Sequence, residues 1–226
     1  MKKALGLLAI IPFLCACSAT EISSEKALSL VNDFETKLEQ KTSFSFYERK
    51  EVSETKTTKL VNLTQIFFEE NFFHSYSVFE DHENPASCSA IEKWSFIKDK
   101  KIYDVTDDGT GNRSHTELEF DKEFWEGRMK AALNEVKGVN IGYFNKVVDE
   151  INQEKNSAKL VLLSKNSGSL IHKIERYGND GTVIRSKTYE FEDSLIYKVI
   201  DKDDYSLTTI DFKYKITTQE PNIPNF

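Results

Sequence analysis

Hydrophobic residues recur along the chain at two periods, one typical of helices and one typical of strands. In residues 24–40, Leu28, Val31, Phe34 (or Glu35) and Leu38 recur at three- and four-residue intervals. Either Ser23 or Ser24 can cap the first turn, so the pattern predicts an amphipathic N-terminal helix. Runs rich in β-branched and aromatic residues then predict about five strands, at residues 43–52, 56–68, 72–79, 93–98 and 101–106.

A second helical section follows this first group of strands. Asp121 can cap a helix, and Gly138 is well placed to end it. A further apolar stripe of about three turns predicts another helix, with Ile141, Phe144, Val147, Val148 and Ile151. The chain then returns to about five strands, predicted at residues 158–165, 170–177, 182–191, 195–201 and 206–217.

The last predicted strand shows the clearest alternation of hydrophobic and polar residues. Ile210, Phe212 and Tyr214 alternate with polar residues, as in an antiparallel sheet that is covered on one side only. The whole order of elements predicts an α+β fold, with one large curved antiparallel β-sheet and helices against one of its faces. We expect a single domain at residues 24–226, because no internal repeat or second hydrophobic unit is visible.

The first residues have the pattern of a secretory signal. Lys2 and Lys3 precede an apolar run that ends at Leu14, and this run is shorter than the roughly 20 residues needed to span a bilayer. The segment Leu14-Cys15-Ala16-Cys17 resembles a bacterial lipobox. The resemblance implies that residues 1–16 are removed, that Cys17 carries diacylglycerol and often a third acyl chain, and that residues 17–23 form the lipidated N-terminus and a short tether. The alternative is an ordinary secretory signal with a chance cysteine.

A lipid-anchored chain of this kind would lie on the extracytoplasmic face of the cell membrane. In a host with two membranes, Ser18 after the anchor is compatible with the outer membrane. The tether at residues 18–23 reaches at most ~20 Å, so it would keep the domain close to the lipid headgroups. Two or three acyl chains would hold the protein durably, because each buried CH₂ contributes ~0.8 kcal/mol.

Charge and cysteine content narrow the classes of partner. The chain has 30 basic and 37 acidic residues, and removal of residues 1–16 takes away two lysines and no acid, so the net charge changes from −7 to −9. This balance argues against binding to nucleic acid or to an anionic membrane surface. Once Cys17 is lipidated, Cys88 is the one remaining cysteine, so the core must stabilise the domain without an internal disulfide.

No catalytic or metal-binding signature stands out, which favours a non-enzymatic protein without a cofactor. His74, His82, His115 and His172 lack the spacing of metal ligands. The acidic residues 80–83 surround a histidine, but in a loop this pattern is typical of a solvated charge run. An envelope hydrolase stays a third possibility, because the distance between two acids in space is not visible in the sequence.

The order of elements is similar to that of the LolA/LolB-like lipoprotein-carrier superfamily. Residues 94–103 resemble a hairpin of that family, in which a polar turn is followed by a strand with an aliphatic and an aromatic residue, and the closing segment through Pro221 and Pro224 is also similar. The resemblance implies a half-barrel whose concave face is covered by the N-terminal helix and the two mid-chain helices. It also implies binding of a lipid or an acyl chain.

The aromatic content supports a ligand cavity, since the chain has 16 Phe and 9 Tyr. We predict an apolar ligand face formed by Phe67, Phe72, Trp94, Phe212 and Tyr214. The stripe from Ile141 to Ile151 is the predicted lid helix. The alternative is a filled core, because aromatic residues dominate cores generally. In that case the protein is an interaction or structural lipoprotein that contacts another envelope protein, for example through residues 80–89.

Overall fold

The computed structural model describes residues 19–153, 158–215, 221 and 223–224, and these form one antiparallel sheet with two α-helices. The predicted signal peptide and Cys17 lie outside the described residues. The helices are α1 at Ser24–Gln40 and α2 at Lys122–Asn152. The strands are β1 Thr20–Glu21, β2 Phe46–Thr55, β3 Thr58–Phe67, β4 Phe72–Asp81, β5 Ser89–Lys98, β6 Lys101–Asp107, β7 Arg113–Glu119, β8 Ala158–Ser164, β9 Leu170–Tyr177, β10 Val183–Glu192, β11 Leu195–Asp203 and β12 Ser206–Lys213.

The twelve strands follow the order β1-β8-β9-β10-β11-β12-β2-β3-β4-β5-β6-β7, and every neighbouring pair is antiparallel. The two groups of strands predicted from the sequence therefore join side by side, where β12 pairs with β2. The prediction of one large antiparallel sheet in an α+β fold is confirmed.

Because neighbouring strands are antiparallel, β1 begins and β12 finishes at the same end of the sheet. β1 begins at Thr20 beside Ser164, the last residue of β8. Because directions alternate from strand to strand, β10, β12, β3, β5 and β7 also finish at this end. We call it the Thr20 end, and Glu119 lies there at the end of β7. The turn between β11 and β12, which contains Tyr205, lies at the opposite end.

Helix α1 agrees with its prediction. The side chain of Ser23 accepts a hydrogen bond from the Lys26 backbone N at 3.2 Å, and Glu25 lies in the first turn. A negative side chain there interacts favourably with the helix dipole. The buried residues recur at three- and four-residue spacing, at Ala27, Leu30, Val31, Phe34 and Leu38. The helix therefore packs one apolar stripe against the sheet.

Helix α2 is one continuous helix, so the prediction of two mid-chain helices is wrong. Asp121 caps it as expected, since its side chain accepts a hydrogen bond from Phe124 N at 3.0 Å. Gly138 does not end it, because Gly138 stays within the helix and is not among the glycines with positive φ. The buried positions run through it without a break, at Trp125, Ala132, Val136, Asn140, Phe144, Val147 and Ile151.

Two strands were not predicted. β7 is exposed along its whole length and so lacks the hydrophobic alternation that reveals a strand. It is held by pairing with β6, and Gly109 in the connecting turn has a φ of +75°. β1 is only two residues long. The predicted loop at 80–89 is also shorter than expected, because β4 continues to Asp81 and a 3₁₀ turn occupies Pro85–Ser87.

The sheet has a buried apolar cluster on each face. On the face that we call the helix-covered face, α1 and α2 pack against strand residues such as Tyr47, Ile66 and Phe191. Neighbouring residues point to the other face, which we call the outer face, because side chains alternate along a strand. The outer cluster contains Phe46, Phe67, Phe72, Trp94, Phe96 and Val105. No helix in the described part of the chain is both long and apolar enough to cross a membrane.

Candidate functional site: a groove beside α2

The five residues of the predicted ligand face do not form one surface. Phe67, Phe72 and Trp94 belong to the outer cluster. Phe212 is buried on the helix-covered face, with its ring 5.9 Å from that of Tyr143, and Tyr214 packs against the same core. The five residues are therefore divided between the two faces of the sheet. The pairing register of the strands decides which face each side chain takes, and the register between distant strands cannot be read from the sequence.

The predicted lid residues form part of the fixed core. Phe144, Val147 and Ile151 are buried, while Ile141 and Val148 are partly buried against them. The Phe144 ring lies 6.2 Å from Phe34 and 5.6 Å from Phe191. Buried Asn140 fixes this half of α2 to the sheet, because its Oδ1 accepts a hydrogen bond from Ile196 N at 2.9 Å. The core is thus filled beneath the C-terminal half of α2.

A groove of about 610 Å³ lies beside the N-terminal half of α2. Its floor includes Ile66 and Phe73 on the helix-covered face, and Ala131 and Ala132 form the helix wall. Small polar side chains line the sheet between them, at Thr64, Ser75, Ser95 and Thr106. The volume lies within the 300–1,000 Å³ typical of small-molecule sites.

Side-chain size explains why the groove lies here. Under the C-terminal half of α2, the strands carry large residues such as Phe191 and Phe212, which fill the space beneath the helix. Under the N-terminal half, small serine and threonine side chains face two alanines of the helix. These small side chains cannot fill the gap, so a groove remains open.

Charged groups line the groove. The Arg128 guanidinium lies 3.3 Å from Asp104 Oδ1 and stacks over the rings of Trp125, at 5.1 Å, and Phe73, at 5.4 Å. Exposed Lys93 lies on the sheet wall and exposed Glu135 on the helix wall. The groove therefore combines an apolar floor with a charged rim.

Ser95 supplies a polar group at the floor of the groove. Its side chain is 6% exposed, and its Oγ has no hydrogen-bond partner among the described residues. A buried hydroxyl without a partner costs about 1–3 kcal/mol. Such a group is suited to a ligand that brings its own hydrogen-bonding atom.

The groove continues along α2 toward the Thr20 end. A shallower depression of about 550 Å³ is lined by Phe124 and Gly127, and it shares Arg128 and Ala131 with the groove. The start of α2 is held in place here, because Trp125 Nε1 donates a hydrogen bond to Asn71 Oδ1 at 2.9 Å. The two depressions thus form a continuous path along one helix.

The residues singled out for metal or thiol chemistry lie apart from the groove or have other partners. His74 contacts Gln65 and Glu92 through its ring nitrogens, at 2.8 and 2.7 Å. Cys88 is exposed, and its Sγ accepts a hydrogen bond from Asp81 N at 3.3 Å. Within the described ranges, no three His, Cys, Asp or Glu side chains are grouped so that they could hold a metal ion.

The sequence interpretation missed the groove residues Ser95, Asp104 and Arg128. A signal was present, because Ser75 and Ser95 interrupt strands that are otherwise rich in aromatic residues. Their position beneath a helix depends on the register of β4 and β5, where Phe73 lies opposite Ser95. Register of this kind is not visible in a single sequence.

Comparisons with known proteins leave the family of this chain open. No protein-family model matches the chain, and no curated protein matches it significantly. The crystal structure of LprF from Mycobacterium bovis aligns with a TM-score of 0.36 and 10% identity, covering 90% of this chain and 99% of that one. A DUF1329 family protein from Desulfovibrio piger aligns with a TM-score of 0.21 and 8% identity, over 85% and 95% of the two chains. Likenesses at these scores are too weak to bear on the function of this chain.

Proposed function

We propose that this protein is a lipid-anchored envelope lipoprotein that binds a lipid or another long-chain amphiphile in the groove beside α2. The anchor would be the acylated Cys17 of the lipobox, which precedes β1 by only three residues and would therefore keep the domain near the membrane. The antiparallel strand order, with both helices packed on one face, supports the half-barrel implied by the family resemblance.

The observation that carries this proposal is the mixed lining of the groove. Ile66, Phe73 and the two alanines of α2 offer an apolar path for an acyl chain. Each CH₂ buried there would contribute about 0.8 kcal/mol. A purely apolar ligand would leave the Ser95 hydroxyl without a partner, so an amphiphile fits better than a hydrocarbon.

The polar part of such a ligand has hydrogen-bond donors within reach. Lys93 and Arg128 line the groove beside Ser95, and all three side chains can donate hydrogen bonds. Asp104 is already paired with Arg128, so its carboxylate has a basic partner of its own. The head of the amphiphile would therefore lie near Lys93, with the chain running toward Phe73 and Ala131.

We assign a binding role rather than a catalytic one to these residues. A nucleophilic serine needs a base within hydrogen-bond distance. Ser95 Oγ has no such partner among the described residues, and the nearby carboxylate of Asp104 is engaged by Arg128. These contacts of the described residues support recognition and shielding of a ligand.

A substitution that fills the groove tests the proposal. Ala131 is exposed on α2 and lines the groove, so Ala131→Trp should block it without disturbing the core. Both proteins are made without residues 1–17. We expect Ala131→Trp to lose at least about tenfold in affinity for a fluorescent fatty acid relative to the unmodified protein, equivalent to about 1.4 kcal/mol. Fluorescence titration measures this change.

Asn134→Trp is the matched control, because Asn134 is exposed on the same helix but does not line the groove. It should bind the fatty acid with the affinity of the unmodified protein. Equal affinities for both tryptophan variants would place the ligand elsewhere, and no binding by the unmodified protein would remove the proposed function.

A further inference from the structure

An exposed apolar patch surrounds the junction between β7 and α2. Leu118, Phe120 and Phe124 are 51%, 40% and 50% exposed. The patch is held in a defined position, because Phe120 N donates a hydrogen bond to Lys100 O at 3.0 Å and Phe124 N is capped by Asp121. Three large apolar side chains so close in sequence are an unusual group on a chain this rich in charge. We call them the junction patch.

The alternating strand directions place the junction patch and the proposed anchor at the same end of the sheet. β7 finishes at Glu119 at the Thr20 end of the sheet, and Phe120 follows immediately. The proposed anchor, Cys17, precedes Thr20 by three residues, which reach at most ~11 Å. β1 and β7 are the two edges of the sheet, so the anchor and the junction patch lie at opposite edges of this end.

The junction patch also adjoins the ligand groove. Phe124 lines the shallow depression that shares Arg128 and Ala131 with the groove. The Arg128 guanidinium lies 5.9 Å from the Phe124 ring and 5.4 Å from that of Phe73 at the groove floor. An acyl chain moving from Phe124 to Phe73 would thus pass Ala131 and the Arg128 guanidinium, which both depressions share.

We propose that the junction patch contacts the lipid bilayer and is the entrance through which an amphiphile passes from the membrane into the groove. The entrance rests on the proposed function, and it adds the partner surface and the direction of entry. The contact is apolar in character, because the two acids and one lysine between Phe120 and Phe124 offer no net positive charge to anionic lipids. Phe and Leu side chains at the headgroup boundary supply the attraction.

The test uses the lipidated full chain, reconstituted in phosphatidylcholine vesicles that contain a fluorescent fatty acid. Leu118→Ser with Phe120→Ser should slow uptake from the bilayer at least about tenfold, and neither residue lines the groove. Final occupancy of the groove should stay unchanged, since an entrance alters the rate of exchange and not the bound state. Phe120→Ser alone leaves α2 intact and should slow uptake in the same direction.

Tyr205→Ser is the matched control. Tyr205 is 78% exposed at the opposite end of the sheet, so its loss should not change the uptake rate. Uptake by the double variant at the unmodified rate would overturn the entrance while leaving ligand binding intact. An equal loss of rate and occupancy would also overturn the entrance, because the substitutions would then have damaged the binding site. If the unmodified protein takes up no fatty acid, the proposed function fails, and the entrance fails with it.

Discussion

At the scale of single residues, the most unusual group outside the groove is His172. It is fully buried on the helix-covered face of β9, and its ring lies 5.5 Å from that of Tyr189. Its Nδ1 is 3.5 Å from Glu150 Oε2 on α2, and neither of its ring nitrogens has a hydrogen-bond partner among the described residues. Burial lowers the pKa of His172 to about 4 and raises the pKa of Glu150.

The low pKa of His172 predicts a loss of stability in mild acid. The unfolded chain binds a proton at His172 near its ordinary pKa of 6.5, whereas the folded chain does so only near 4. Stability is therefore complete above pH 6.5 and falls as the pH drops from 6.5 toward 4. Between pH 7 and pH 5 the loss should be about 2 kcal/mol. Urea unfolding at both pH values measures it.

Two variants separate the contribution of His172 to the pH dependence of stability from that of other titratable groups. The raised pKa of Glu150 acts in the opposite direction, because folding then favours its protonated form. His172→Phe keeps an aromatic ring and should show a smaller acid-induced loss than the unmodified protein, while His82→Gln in an exposed loop should show the same loss. An identical loss in His172→Phe would contradict this assignment.

At the scale of elements, helix α2 shows that tertiary packing can outweigh a local sequence signal for a helix end. Gly138 is a typical helix end by sequence, yet the helix passes through it and continues to Asn152. The buried residues on either side, Val136 and Asn140, contact the same core, so packing maintains the helix across the glycine. Tertiary contacts of this kind outweigh a propensity difference of about 1 kcal/mol.

The continuity of α2 predicts that Gly138→Ala stabilises the protein. An added Cβ at Gly138 would meet nothing within 4 Å, and alanine is the better helix former. The gain should be about 0.5–1 kcal/mol in the free energy of unfolding. Gly109→Ala is the contrasting control: φ there is +75° and the added Cβ would lie 2.7 Å from Ala90 O, so this change should destabilise. A destabilised Gly138→Ala would show that α2 is strained at this point.

The strands were predictable where one face is buried and the other is exposed to water. β9 was predicted with its bounds, at Leu170–Tyr177, and the buried residues Leu170 and His172 alternate there with partly buried neighbours. The alternation fails for β7, whose side chains are all exposed. Periodicity reports burial rather than backbone pairing, so an edge strand of this kind leaves no pattern to detect.

At the scale of the whole molecule, the groove depends on which strands become neighbours. Thr64, Ser75 and Ser95 come from three different strands, and they face α2 together only in the observed register. Hydrophobic patterning predicted the helices and most of the strands, but it cannot supply pairing between strands. For this reason the predicted ligand face mixed the two sides of the sheet, and the groove residues were missed.

The groove and the filled part of the core lie under different parts of the sheet. The filled half of the core lies under β8–β12, and the groove lies under β3–β6, next to the edge strand β7. The start of α2 connects this groove to the Thr20 end, where the proposed anchor would hold the domain. A ligand taken from the membrane would therefore have a short apolar route, bounded by Phe124 and Phe73, into a site shielded by α2.

The central claim is that the groove holds an amphiphile, and native mass spectrometry of the non-acylated protein, extracted gently from cells, tests it most directly. The account predicts one bound amphiphile per chain in the unmodified protein and in Asn134→Trp, and none in Ala131→Trp, because only the latter fills the groove. An unmodified protein that is empty in every preparation, or an Ala131→Trp variant that carries the same bound mass, would contradict it.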